Sequence, residues 1–135
     1  PQNPKTPTFN SVNLINNHVR IIGDVRGVVV LDNEGRRVIS KYYNSRGSAL
    51  ESTNSQKAFE RQLFLKSNRQ SSGKQSGSST NLYENDIMIV DSYTAVFRCY
   101  SDMSIYILGM AEDNELILGQ VLDCIHECFD KIFKH

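Results

Sequence analysis

The chain has 135 residues, 39% of them apolar and 22% charged, enough for one domain around a single hydrophobic core and too few for two. Fifteen basic and fifteen acidic residues cancel, which removes the net field that draws a protein to nucleic acid or anionic lipid. No apolar run approaches the ~18 residues of a membrane span, and no leader pattern opens the chain. Three cysteines without framework spacing, in a chain lacking any Asn-x-Ser/Thr sequon, suit a reducing cytosolic compartment.

Residues 1–17 are polar, rich in Asn, Thr and Pro, and are expected to form a flexible lead to a folded unit spanning 18–135. Residues 18–22 suit a short extended entry. Residues 25–31 (VRGVVVL) are dominated by β-branched valine, the composition of a central strand buried on both faces. Asp32, Asn33, Glu34 and Gly35 supply a turn, and residues 37–43 return as the hairpin partner. Thr53 and Gln56 stand at capping-box spacing and open a helix expected to run to about residue 68. At ~100° per residue its apolar side chains spread: Phe59 and Leu63 share one face, Ala58 and Leu65 another, and Phe64 a third. A helix wedged between sheet and loops accounts for that spread, and so does a partner on the second face.

Residues 70–81 are Ser-, Gly- and Gln-rich and predict a disordered surface loop, because they bury too little apolar area to offset their ordering entropy. Strands are expected at 86–90, 93–100 and 104–110, with two-residue turns at 91–92 and 101–102, an antiparallel meander. Asp113 is the expected cap of a last helix beginning at Asn114. Ile117, Val121, Cys124, Ile125, Cys128 and Ile132 form its central stripe, with Cys124 and Cys128 read as buried small hydrophobes. Leu118, Leu122, Phe129 and Phe133 widen the stripe to half the circumference. Burying one such side chain is worth about 1.5–3 kcal/mol, so this flank requires a cover: the sheet, a further helix, or another protein.

No set of residues carries chemistry. Cys124, His126 and Cys128 resemble metal ligands in composition, but His126 points ~160° away from Cys128 on a helix. Gly73 and Lys74 lack the order of a phosphate loop, and turn or helix-start roles explain Asp102, Glu112, Asp113 and Glu115. Tyr42, Tyr43, Tyr93, Tyr100 and Tyr106 fall in or beside strands, where cross-strand packing explains them better than a ligand-binding aromatic box. No catalytic residue, metal or cofactor is expected, nor a nucleic acid or small-molecule substrate.

Six phrases occur in order: Val30 to Arg37 (VLDNEGRR), Lys41-Tyr42-Tyr43, Gln56 to Glu60 (QKAFE), Ile105 to Gly109 (IYILG), Glu112 to Leu118 (EDNELIL) and Val121 to Ile125 (VLDCI). Together they resemble the zeta subunits of coatomer, the COPI vesicle coat, over residues 25–133. The resemblance implies an α+β longin-like fold, a five-stranded antiparallel sheet flanked by helices in the order β-β-α-β-β-β-α, with further helices beyond residue 135. It implies a non-enzymatic subunit that pairs with the gamma subunit and the rest of coatomer. It further implies indirect contact with an Arf-family GTPase and the Golgi membrane, in the cytoplasm and peripherally on Golgi membranes and COPI vesicles, serving retrograde and intra-Golgi transport. Related small subunits help bind acidic sorting signals near the region matching Asp113 and Asn114; Glu115 adds negative charge there, so that site is not carried over. Phe64, Leu65, Leu118, Leu122, Phe129 and Phe133 are the expected partner contacts. A sigma-type clathrin-adaptor subunit, another longin module, and a PAS-like ligand sensor are the rival readings; the first two predict a different large-chain partner, the last a ligand-filled cavity.

Overall fold

The computed structural model describes residues 25–43, 46–73 and 84–133. The expected lead at 1–17, the extended entry at 18–22 and most of the 70–81 loop lie outside them. Five strands form one sheet: β1 (Gly27–Asp32), β2 (Arg37–Tyr42), β3 (Asp86–Val90), β4 (Tyr93–Cys99) and β5 (Met103–Met110). Their spatial order is β2-β1-β5-β4-β3, antiparallel throughout, with α1 (Thr53–Ser72) on one face and α2 (Glu115–Phe133) on the other. This is the expected α+β architecture.

Alternation along β1 explains the two layers. Val29 and Leu31 join Phe59 and Leu63 of α1, with Phe97, Tyr106 and Leu108, in one core. Val30 joins Val96, Ile105 and Ile107 under Leu118 and Leu122 of α2 in the other. Because successive side chains on a strand point to opposite faces, a strand covered on both sides must be apolar throughout.

The β1–β2 turn is held by Asp32, whose carboxylate accepts from the N–H groups of Glu34 (2.9 Å) and Arg36 (2.8 Å). Those bonds, the one from the Arg36 backbone foremost, hold the Asp32 carboxyl below its ordinary range. Gly35 has φ 80°, and a Cβ there would lie 2.7 Å from the Phe64 ring, so both the backbone and the close approach require glycine. The register slips between Val30 and Leu31: Ile39 faces Val30 while Arg37 faces Leu31, which leaves Val38 as a bulge.

Both helices start one residue from the expected cap. Ser52 caps α1, its Oγ accepting from Ser55 N at 3.1 Å, while Gln56 donates backward to the Leu50 carbonyl at 2.9 Å. Asn114 caps α2 by accepting from Leu116 N at 2.9 Å, and Asp113 instead accepts from Met110 N at 2.6 Å to close the β5–α2 turn. Neighbouring Ser, Thr, Asp and Asn are nearly equal caps, so the tertiary path of the incoming chain decides among them. Helix α1 also continues to Ser72, into the stretch expected to be loop. Polar residues there gain specific partners: Gln70 donates to the Ile87 carbonyl at 3.1 Å and Ser72 to the Asn68 carbonyl at 2.8 Å.

Gln70 has an ally one turn earlier, Lys66, whose Nζ donates to the Ile89 carbonyl at 3.0 Å. These two side chains cap outward-facing carbonyls of the edge strand β3, whose Ile87 and Ile89 are exposed. An uncapped apolar edge is a template for strand pairing between molecules. Replacing both Lys66 and Gln70 by Ala is therefore expected to raise concentration-dependent association in light scattering with little change in melting temperature. Scattering equal to that of the parent chain would refute an edge-capping role.

Candidate partner-binding surfaces

The six expected contact residues separate once folded. Leu118 and Leu122 are fully buried against β1, β4 and β5, and Phe129 is half-buried in the same layer. The part of the flank formed by Leu118 and Leu122 is the side that docks α2 on its own sheet, whereas Phe129 also borders the outer face of the helix; the side chain of Phe133 lies outside the description. The orientation is off by about a quarter turn, roughly 90° at ~100° per residue. Consequently Cys124 and Cys128, expected inside, are exposed, with Leu116 at 71% and Ile132 at 67% exposure.

Two contacts settle that orientation. Gly109 on β5 admits the Leu118 side chain so closely that a Cβ would sit 2.7 Å from its Cδ1. Arg98, buried on β4, directs Nη2 at Asp123 Oδ1 (2.7 Å) and at Asn85 Oδ1 (2.7 Å). A buried guanidinium must be paired, and the carboxylate that pairs it lies beside Leu122. The signal available in the sequence was Gly109 within an apolar strand and an arginine inside a run of strand residues.

The outer face of α2 that results is an apolar groove of about 400 Å³ running from Ile117 past Val121, Cys124, Ile125 and Cys128 to Ile132. Soft, polarizable thiols stand there among Ile and Val. His126 is engaged by Tyr100: the rings stack at 5.6 Å and Tyr100 Oη lies 2.8 Å from Nδ1. Among the described residues no group of three or more His, Cys, Asp or Glu is placed to hold a metal ion.

Phe64 and Leu65 line a second concavity, a cleft of about 540 Å³ between the β1–β2 turn and α1. Phe64 is half-buried against Gly35, and Leu65 is 49% exposed. Arg36, Arg37, Lys57 and Arg61 surround them, with Glu34 and Glu60. The wall is rigid because Glu60, its side chain only 4% exposed, accepts from Arg37 Nη2 at 2.7 Å and from the Tyr42 hydroxyl at 2.7 Å. Burial first, then the neighbouring Glu60 carboxylate, pushes the Tyr42 phenol far above its ordinary value, so it stays a donor.

The fold and sequence both have relatives. A family model described as clathrin adaptor complex small chain matches residues 24–135. Coatomer subunit zeta-3 of Oryza sativa subsp. japonica is 33% identical over 111 residues, 82% of this chain and 56% of that protein. Coatomer subunit zeta of Saccharomyces cerevisiae is 30% identical over 115 residues, 80% and 54% respectively, and coatomer subunit zeta-1 of Homo sapiens is 29% identical over 110 residues, 82% and 53%. The chain thus spans about half the length of the curated relatives it matches. A Roadblock/LC7 domain from Streptomyces avermitilis superposes with TM-score 0.59 at 14% identity, covering 83% of this chain and 88% of that one. Myxococcus xanthus MglB gives 0.57 at 11%, covering 85% and 89%; both share the fold alone. The chain is similar to coatomer zeta subunits, as its ordered phrases indicate, and it belongs to the clathrin adaptor complex small chain family.

Proposed function

We propose that this chain is a non-enzymatic structural subunit of the COPI vesicle coat, held by the gamma subunit and through it by the rest of coatomer. An Arf-family GTPase and the Golgi membrane are then indirect partners, and the site of action is the cytoplasmic face of Golgi membranes and COPI vesicles in retrograde and intra-Golgi transport. The observation that carries this reading is the α2 groove, an apolar face that lies outside both cores of the described residues. Surplus apolar surface of this kind marks a protein–protein contact. Similarity to coatomer zeta subunits supports coatomer as the complex. Leu65 and Phe64 supply a second patch on the opposite layer, which suits a partner that embraces the domain from two sides.

Co-expression with a gamma-subunit trunk followed by gel filtration tests it. Co-elution is expected. Leu65→Asp and Ile132→Asp, both at exposed positions, are expected each to weaken the complex at least about tenfold while melting temperature stays put, since a charge is forced into a dry contact. Absence of co-elution, or co-elution indifferent to both changes, would overturn the reading. The family match also admits a sigma-type clathrin-adaptor role; recovery of a clathrin-adaptor large chain in place of gamma would favour it.

A further inference from the structure

Three of the tyrosines that the sequence assigns to cross-strand packing, Tyr42, Tyr43 and Tyr93, meet at one end of the sheet around Arg26. The Arg26 backbone is clamped there: its N–H donates to the Leu108 carbonyl at 2.7 Å, and its carbonyl accepts from Tyr43 N at 2.9 Å. The side chain therefore starts from a fixed point and lines a cavity of about 200 Å³ closed by the tyrosines with Ser48, Leu50 and Met110. Its Nε is buried and finds no hydrogen-bond acceptor. Two other arginines are paired, the partly exposed Arg37 with Glu60 and the buried Arg98 with Asp123. A buried donor without a partner is rare in a folded protein, and beside a cavity a water, an ion or a ligand group can complete it.

We propose that this cavity binds a peptide carboxylate, from a chain terminus or an acidic side chain, carried beside an apolar residue. The forked, planar guanidinium matches a carboxylate in both geometry and charge. Among the described residues Arg26 is the one cation in the lining, which suits a single negative charge; a phosphoinositide headgroup calls for a cluster of cations. The volume falls short of the ~300–1,000 Å³ of small-molecule sites, which admits one anionic head and a short stem but no nucleotide. Tyr93 and Leu50 are buried and form a dry wall, stiffened where Tyr93 packs edge-on against Phe59 at 5.4 Å. The Tyr42 hydroxyl is committed to Glu60, so that residue offers its ring and not its oxygen. Tyr43 is partly exposed, so its ring is open to a ligand's apolar neighbour. The inference stands apart from the coat-subunit reading and survives its failure.

The test is a titration of the 135-residue chain followed by nuclear magnetic resonance, watching the Arg26 Nε–Hε cross-peak and the Tyr43 ring. The probes are acetyl-Leu-Phe with a free carboxylate, the same dipeptide amidated, acetyl-Leu-Glu amide, and inorganic phosphate. Saturable shifts are expected from one or both carboxylate peptides, which separates a terminal from a side-chain source, and binding of the neutral amide should be at least about tenfold weaker. Arg26→Met should abolish the response. Tyr43→Ser, at an exposed ring, should weaken it without unfolding the domain, so the result does not hinge on how well the arginine variant folds. Equal response to the amidated peptide, a response to phosphate alone, or no saturable shift from any probe would each overturn the proposal.

Discussion

Leu118→Ala is expected to lower the unfolding free energy by about 2–5 kcal/mol, read from urea denaturation, whereas Ile132→Ser should change it by less than about 0.5 kcal/mol. The two residues lie on the same helix and are equally apolar in the sequence. They differ in what surrounds them: Leu118 is fully buried over Gly109 beside Val96, Ile105 and Ile107, and Ile132 stands in water. Deleting the buried side chain removes its transfer energy and leaves a void that the sheet backbone at Gly109 cannot close. Removing the exposed one costs nothing comparable within the monomer. Equal and small effects at both sites would mean that α2 does not rest on the sheet by this face.

Arg37→Met is expected to cost about 3 kcal/mol, the second large effect. The apolar stem is kept, so the loss is electrostatic: Glu60 stays in a site 4% exposed with the Tyr42 hydroxyl to donate to it and, among the described residues, no second cation paired with it. Arg37 is itself 28% exposed, so water that reaches it tempers the figure below the upper end for a sealed pair. Adding Glu60→Leu in the same chain should restore most of the stability, because the buried charge then disappears together with its partner. A double-mutant cycle in denaturant measures the coupling; a cycle that closes near zero would show that Arg37 and Glu60 hold the β2 edge and α1 independently.

These two effects bear on different parts of what could be read beforehand. The strands were legible because their signal is local. Val28 to Leu31 is apolar at every position, the meander is punctuated at Asp91-Ser92 and Ser101-Asp102, and observed strand ends fall within two residues of those expected. The hairpin turn was legible for the same reason, since Asp32 and Gly35 are turn residues whatever surrounds them. The polar anchors were not. Glu60 and Ser67 lie inside α1 among exposed polar neighbours, and nothing in their spacing separates the glutamate that meets Arg37 or the serine that meets the Tyr106 hydroxyl at 2.8 Å. Their partners are 23 and 39 positions away, and only the folded chain brings them together.

The candidate surfaces divide along the same line. Composition and periodicity alone establish that α2 carries apolar side chains over half its circumference, more than one core-facing stripe needs, because a helix repeats every ~3.6 residues in any setting. Separately, the ordered phrases carry the resemblance to coatomer zeta subunits, which the family match bears out. Which quadrant of that apolar half turns inward was decided by tertiary contacts: the gap above Gly109 that accepts Leu118, and the buried charge of Arg98 that requires Asp123 at its side. A helix presents several apolar faces of nearly equal transfer energy. Steric fit and the pairing of one buried charge break that near-degeneracy, and both arise only when distant segments meet.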